Sequence, residues 1–360
     1  MYRIIVITVL CSFLFSCKEK KTESVRITYV SGDTTFIVQP VQLYTNSIEF
    51  KKDTSFNING NNYILNLSTK VDTTHKLYFI DTTKDDNSKK ITISKRIGPL
   101  VDFKIDLLKN KKTLFHKTFN KDIFKSILKN NLELYTVSYS EPRFEGIISD
   151  NDKSIYTIDF AYPFSDVGLE YYFILDNKGN INNIGLLNTF NKGCDGQLSI
   201  QPNFILANYA IINNNGSTID LTPKSDSSFL AGVKLINDSV VLAIYHLADK
   251  EAENAVLMKN DGSVIAKFNY KGFILEMSYH IPIVYISEIE KFVLLDEENQ
   301  LIRVINKNDP IMAEVVRFNE MENQNENEEN EEITFELSSL SNVYEMTYYT
   351  ESKSFKMERK

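Results

Sequence analysis

The residues that could support acid–base chemistry lie close together in the stretch AIYHLADKE. His246 stands near Asp249 and Glu251 in this stretch. A histidine beside carboxylates can accept and return a proton during hydrolysis. The same pattern is also typical of a strand end, where a histidine and a charged turn follow the last apolar residue. We favour the strand end and predict no catalytic residue here.

Cys194, in the stretch NKGCDGQLS, is the other side chain that could take part in a reaction. A nucleophilic cysteine needs a base and a positive environment that lower the pKa of its thiol. The sequence shows neither, and Asp195 would oppose ionisation. We therefore interpret Cys194 as a free thiol in a tight turn.

The remaining residue types give no metal or cofactor signature. The histidines are His75, His116, His246 and His280, and none pairs with another or with Cys194 at the spacing of zinc ligands. The chain has no G-x-S-x-G motif and no phosphate-binding glycine loop. We predict no metal and no cofactor.

The N-terminus predicts export. An uncharged, mostly apolar run extends from Ile4 to Phe15 and ends just before Cys17. As a helix this run would rise about 18 Å, which is short of the roughly 30 Å of a bilayer core. Its length and position predict a signal peptide over residues 1–16. The last residues, LFSC, resemble the bacterial lipobox, although Phe15 is bulkier than the usual residue at its position.

The lipobox resemblance implies that Cys17 is diacylated on its sulfur and becomes the mature N-terminus. Two or more acyl chains anchor a protein stably, where one chain gives only marginal binding. Residues 17–24 are polar, and this composition predicts a tether between the membrane and the folded domain. They also partly resemble a surface-export signal of Bacteroidetes. Because Cys11 would leave with the signal peptide, Cys194 would be the only thiol of the mature chain. The expected location is the outer membrane or cell surface, and the alternative is an ordinary secretory signal.

Composition excludes one class of partner. The chain of 360 residues carries 40 Lys and Arg against 48 Asp and Glu, for a net charge of −8. Nucleic-acid binding needs a basic surface, so we predict no nucleic-acid partner. The expected partners are the membrane, through the lipid, and an envelope protein or a glycan.

The chain pattern predicts an all-β fold. From residue 25 onward, short apolar-alternating segments are separated by polar turns, of which Asn59-Gly60 is a strong hairpin signal. One segment, NKDIFKSILKN, predicts a short helix near residues 120–130 with Asn120 as its N-cap. We expect residues 25–185 to form a barrel-like or sandwich-like β-rich domain that includes this helix.

A family resemblance covers part of this domain. The stretch TLFHKTFNKDIF, residues 113–124, lies between a strand hairpin and further strands. It resembles a small lipoprotein domain family of Bacteroidetes whose function is unknown. The resemblance extends at most from Val25 to Ile181, and it implies a fold without an activity.

The second half has a repeating pattern. Four hairpins have turn centres at Gly179, Gly216, Gly262 and Asn299, a spacing of roughly 40 residues that is typical of propeller blades. We predict propeller-like β-hairpin repeats over residues 186–360; the alternative is a β meander whose turns recur by chance. Residues 319–332, NEMENQNENEENEE, predict a solvated acidic loop within it.

Four hydroxyl side chains are candidate sites of modification. Asp followed by Thr or Ser, and then by Thr or an apolar residue, resembles the O-glycosylation motif of Bacteroidetes. The acceptors would be Thr34, Thr73, Thr82 and Ser239.

Together these features predict a lipid-anchored, all-β envelope protein that acts as a binding or scaffold module. Two alternatives remain open. One is a glycan-directed envelope hydrolase with carboxylates dispersed along the chain. The other is an accessory subunit of an outer-membrane uptake or motility complex.

Overall fold

The computed structural model describes residues 27–31, 34–40, 51–84, 91–127, 138–139, 141–148, 151–161, 168–189, 194–196, 198–225, 227–276, 278–321 and 331–360. The predicted signal peptide and Cys17 lie outside these residues. The chain divides into two compact units. Unit 1 has the bounds Met1–Thr45 and Asp72–Leu100, and unit 2 has the bounds Asn46–Val71 and Val101–Lys360.

Unit 1 consists of paired strands. Strands β1 (Ile27–Ser31) and β2 (Thr34–Pro40) are antiparallel, and β2 also pairs in parallel with the first part of a longer strand, from Thr34 opposite Ile91 to Pro40 opposite Ile97. Two strands continue into unit 2: β4 (Asn61–Lys84) and β5 (Ile91–Lys109). Segments that the sequence pattern presents as separate strands are therefore continuous.

Unit 2 begins with two hairpins and a helix. Strand β3 (Lys51–Ile58) pairs with the start of β4 around Asn59-Gly60, where both residues have positive φ as the predicted turn requires. Strand β6 (Lys112–Phe119) pairs with the end of β5 and leads into helix α1 (Lys121–Ile127). The Ile123 amide donates to the Asn120 side chain at 3.2 Å, which confirms the predicted N-cap.

In the described part of the chain, five antiparallel sheets of three or more strands follow, and we number them in chain order. Sheet 1 contains β7 (Ser138–Tyr139), β8 (Arg143–Ile148), β9 (Lys153–Ala161), β10 (Gly168–Leu175) and β11 (Ile181–Thr189). Sheet 2 contains β12 (Ser199–Ile200), β13 (Phe204–Ala207), β14 (Ala210–Asn213) and β15 (Thr218–Asp220). Sheet 3 contains β16 (Phe229–Leu235), β17 (Val240–His246), β18 (Ala255–Lys259) and β19 (Val264–Phe268).

A small hairpin of β20 (Ile274–Leu275) and β21 (Tyr279–His280) follows sheet 3 in the chain. Sheet 4 contains β22 (Ile283–Ile286), β23 (Lys291–Asp296), β24 (Leu301–Asn306) and β25 (Ala313–Arg317). Helix α2 (Phe318–Met321) leads to sheet 5, which contains β26 (Glu332–Ser338), β27 (Val343–Tyr349) and β28 (Ser354–Arg359).

Hydrophobic clusters join these sheets face to face in chain order. One cluster joins the β3–β6 hairpins and α1 to sheet 1, and four more join sheets 1 and 2, 2 and 3, 3 and 4, and 4 and 5. Sheets 2, 3 and 4 are four-stranded meanders, and successive meanders packed in this way are a propeller-like arrangement. The predicted all-β class, with its propeller-like second half, is confirmed.

Strand β17 shows why the middle strands are apolar on both faces. Val240, Leu242 and Ile244 pack toward sheet 4, whereas Val241 and Ala243 pack toward sheet 2. Successive side chains of a strand point to opposite faces, and both faces of sheet 3 are covered. The continuous run VVLAI is therefore the expected pattern of a central strand.

The predicted repeat needs a correction at its fourth turn. Gly179, Gly216 and Gly262 have positive φ and connect the last two strands of sheets 1, 2 and 3, respectively. In the β23–β24 turn of sheet 4, the residue with positive φ is Gln300 rather than Asn299, and its amide donates to the Glu297 carbonyl. This turn joins the second and third strands, so it lies one strand out of register with the others.

The ends of the predicted acidic loop are ordered structure. Helix α2 occupies its first residues, and Phe318 and Met321 are buried in the cluster between sheets 4 and 5. Glu332 already belongs to β26. The apolar side chains, placed one helical turn apart, explain why this end is not solvated. Residues 322–330 lie outside the described part.

Two further findings bear on organisation. The boundary predicted between residues 185 and 186 falls within β11. Within the described residues, no helix has the length and apolarity that crossing a membrane requires.

Candidate functional site

A cavity of about 150 Å³ opens at one edge of the stacked sheets, where loops of sheets 3 and 4 meet. It is lined by His246 at the end of β17, residues 247, 249, 250 and 254 of the β17–β18 connection, residues 270, 271 and 273 after β19, and Glu298 of the β23–β24 turn. We call it the sheet 3–4 pocket. Loops placed on a rigid scaffold are where proteins most often bind ligands.

One wall of the pocket is aromatic. The rings of His246 and Phe273 lie 5.1 Å apart, and Tyr279 packs edge-on behind both at 5.8 Å. The Tyr279 hydroxyl forms a 2.8 Å hydrogen bond with Nδ1 of His246, which holds the imidazole in place. Phe229, 41% exposed, extends the aromatic surface on the other side of His246.

A buried amide shapes the floor. The Asn254 side-chain amide donates to the carbonyls of Tyr245 and Tyr270, at 2.7 and 2.8 Å, and its oxygen accepts the Tyr270 amide at 2.7 Å. Tyr270 is fully buried and donates its hydroxyl to the Leu295 carbonyl, and burial raises the pKa of that phenol well above its usual value. Asn254 therefore ties the end of β17 to the segment after β19 and acts as a structural element of the pocket.

A buried ion pair lies next to this floor. Arg303 Nε is 3.8 Å from the fully buried Asp296 carboxylate, and its guanidinium lies 4.6 Å from the centre of the Phe268 ring. Burial raises the pKa of Asp296 and lowers that of Arg303. Asn299 donates to Asp296 at 3.0 Å, and Arg303 donates to the Asn269 carbonyl at 2.5 Å. The pair thus ties the β23–β24 turn to the segment after β19.

Gly272 allows this segment to approach β23. A Cβ atom at position 272 would lie 2.0 Å from the Leu295 carbonyl oxygen and 2.9 Å from the Asp296 Cα. Backbone atoms on a core strand have little room to move, so only glycine fits without distortion. The approach places Lys271 and Phe273 on the pocket wall.

The rim carries charges of both signs. Asp249, Lys250, Lys271 and Glu298 line the cavity. Lys271 also forms a 2.8 Å ion pair with the exposed Glu251, which raises the pKa of the lysine.

The trio of His246, Asp249 and Glu251, which could have supported proton transfer, is only partly assembled. His246 and Asp249 share the pocket, whereas Glu251 pairs with Lys271. Tyr279 supplies the hydrogen bond to His246 described above. His246 is the last residue of β17, so the strand-end interpretation is confirmed.

Cys194 is buried, and burial raises the pKa of its thiol to about 12, with the charge of Asp195 adding to the shift. The thiol is therefore protonated and poorly nucleophilic at neutral pH. Sequence reasoning missed the role of Asp195. Its carboxylate accepts from Lys234 at 2.7 Å and from the Ile281 amide at 2.5 Å, and it lies 3.3 Å from His280.

The candidate glycosylation sites lie on different elements. Thr34 belongs to β2, and Thr73 and Thr82 belong to β4; of these three, only the Thr82 side chain is described, and it is exposed. Ser239 lies half-buried in the β16–β17 turn, where its hydroxyl donates to Asn237 at 3.1 Å. Glycosylation stays a prediction.

A carboxylate pair that the sequence could not single out lies on sheet 1. Asp159 and Glu170 are directly opposite each other on β9 and β10, and Arg143 of β8 forms ion pairs with both. Burial raises the pKa of Glu170, although the charge of Arg143 opposes the shift. The arginine neutralises a cross-strand repulsion, which is a structural role. In the described part of the chain, no cluster of His, Cys, Asp and Glu has the arrangement of a metal site.

Comparisons with known proteins give only distant likenesses. No family model and no curated protein matches the chain. Among solved structures, a streptogramin B lyase is 10% identical with a TM-score of 0.29, covering 81% of this chain and 86% of its own. A nidogen–laminin complex is 10% identical with a TM-score of 0.26, covering 71% and 89%. An exported protein of Bacteroides fragilis NCTC 9343 is 8% identical with a TM-score of 0.21, covering 90% and 80%. At these scores the likenesses carry no argument about function.

Proposed function

We propose that this protein is a lipid-anchored binding module of the bacterial envelope, and that its ligand occupies the sheet 3–4 pocket. The observation that carries the proposal is the construction of that pocket. Loop side chains of opposite charge and aromatic character meet at one edge of rigid, face-packed sheets. Such a site is organised before a ligand arrives, which reduces the entropic cost of binding.

The geometry favours binding over proton transfer. His246 is oriented by a tyrosine hydroxyl, and the carboxylate of Glu251 is engaged by Lys271. A general base is commonly oriented by a third group that stabilises its positive charge, and a carboxylate serves that purpose better than a phenol.

The anchor is supported by sequence alone. The apolar run before Cys17 is too short to span a bilayer, and lipid on Cys17 would hold the module at a membrane surface through the tether. The negative net charge of the chain is compatible with an exposed, soluble body.

Metabolic labelling with radioactive palmitate tests the anchor. We expect label and membrane fractionation in the wild type and in Cys11→Ser, which removes a cysteine of the signal peptide only. Cys17→Ser is expected to lose both. Equal labelling of the two variants would refute lipidation at Cys17.

Hydrogen exchange tests the pocket. Detergent-solubilised full-length protein is incubated with and without an extract of envelope glycans and proteins, and exchange is followed by mass spectrometry. We expect protection of residues 246–254 and 269–273, and loss of that protection in Phe273→Ala. Unchanged exchange in these segments would contradict a binding role for this pocket.

A further inference from the structure

The dimensions of the sheet 3–4 pocket limit what it can hold. Pockets for drug-sized ligands enclose roughly 300–1,000 Å³, whereas this cavity has about 150 Å³. It therefore accommodates one ring-sized group rather than a folded peptide segment or a lipid chain. A longer ligand would place a single unit inside and continue into solvent.

The aromatic wall selects for a flat, C–H-rich surface. His246 and Phe273 both line the cavity with ring centres 5.1 Å apart. The faces of aromatic rings carry partial negative charge and attract the weakly positive hydrogens of C–H groups. A pyranose ring presents such C–H groups on one face and hydroxyls around its edge.

The polar wall selects for a neutral group that both donates and accepts hydrogen bonds. Asp249 and Glu298 are acceptors, and Lys250 and Lys271 are donors. The two negative and two positive lining side chains balance, and Lys271 is also paired with Glu251, so the pocket has no net positive charge to attract an anion such as phosphate. Hydroxyl groups can satisfy both kinds of partner.

We propose that the sheet 3–4 pocket binds a single neutral sugar ring of a glycan. The ring would stack on the face of Phe273 and contact His246, whose ring is inclined at 46° to that of Phe273. Its hydroxyls would bond to the rim carboxylates and ammonium groups. This inference rests on the proposed binding function and names its ligand class. Tyr279, which fixes the imidazole through a 2.8 Å hydrogen bond, is a positioning residue for the stack.

Saturation-transfer-difference NMR on the full-length protein in detergent tests the proposal. The probes are glucose, galactose, mannose and N-acetylglucosamine, with inorganic phosphate and tetramethylammonium as charged comparisons. We expect at least one sugar to show transfer, with the strongest signals on the hydrogens of one ring face, and neither ion to compete with it.

Two variants separate stacking from packing. Phe273→Leu keeps an apolar side chain but removes the aromatic face, and we expect it to weaken binding of the sugar at least tenfold. Tyr285→Ala is the matched control, because Tyr285 is an exposed aromatic residue of sheet 4 outside the pocket, and it should bind as the wild type does.

Three results would overturn the sugar assignment: no transfer to any of the four sugars, equal binding by Phe273→Leu, or competition by phosphate or tetramethylammonium. If envelope extract still protected residues 246–254 and 269–273 from exchange in that case, the binding function would stand and only the ligand class would be wrong. If that protection were also absent, the proposed function would fail with it.

Discussion

The buried lysine at the start of α1 makes the stability of this protein depend on pH. The Lys121 side chain is 3% exposed, and burial lowers its pKa from 10.5 to about 7. Because the pKa is lower in the folded state, the unfolded chain binds more protons between pH 7 and pH 10.5. The free energy of unfolding therefore rises with pH across this window.

The magnitude follows from the two pKa values. Between pH 7 and pH 9 the unfolded lysine keeps its proton, while the folded lysine goes from half protonated to almost fully neutral. Integration over this range gives a gain in the free energy of unfolding of about 2 kcal/mol. The range stops at pH 9 because the folded pKa of Cys194, about 12, lies above the ordinary thiol value of 9.0, so that stability falls beyond pH 9.

Guanidinium unfolding of the detergent-solubilised chain at pH 7, 8 and 9 measures the effect. Lys121→Met retains the side-chain length without a titratable group and should remove the pH dependence. It should also stabilise the protein more at pH 7 than at pH 9. Lys52→Met, at an exposed position of β3, should leave the wild-type slope unchanged. If Lys121→Met and the wild type have parallel pH profiles, the lysine is not desolvated in the folded state and the reasoning is wrong.

Three further predictions concern single residues. Cys194 should react with Ellman's reagent only after unfolding, because the native thiol is buried and its pKa is raised to about 12. More than one reactive thiol per unfolded chain would contradict lipidation at the N-terminus. Gly272→Ala should lower the free energy of unfolding by about 1–3 kcal/mol, since the added Cβ would lie 2.0 Å from the Leu295 carbonyl oxygen. Thermal unfolding measures the loss, and an unchanged midpoint would contradict the prediction. Arg143→Met should cost about 1 kcal/mol at pH 7, because Arg143, 46% exposed at its side chain, neutralises two facing carboxylates. Urea unfolding should show a smaller loss at pH 4, where Glu170, whose pKa is raised by burial, is protonated. An equal loss at both pH values would count against this role.

Much of the fold was readable from local sequence signals. The hairpin at Asn59-Gly60 and the N-cap at Asn120 were predicted because each depends on a few neighbouring residues. The three glycine turns were found for the same reason. The fourth turn was misplaced by one residue because Gln300 has a left-handed backbone conformation, which its residue type does not predict. The buried end of the acidic segment was missed because its burial depends on sheet 5.

The sheet 3–4 pocket could be predicted only in part from the sequence. His246 was recognised as a reactive residue type, but Tyr279 and Phe273 lie far along the chain and gave no signal of proximity. Lysine and glutamate on loops are too common for their pairing to be inferred from composition.

The amino-acid sequence alone determined the all-β class, the position of the short helix, and the expectation of a lipid-bearing N-terminus. These follow from periodicity, caps, turns and a short apolar run, each of which is written within a few adjacent residues. Only the tertiary structure decided which strands face two neighbours and which loops meet at the sheet 3–4 pocket. Stacking successive sheets brings residues 246, 273 and 298 together, and the energy of that long-range burial is not encoded in any single stretch of the chain.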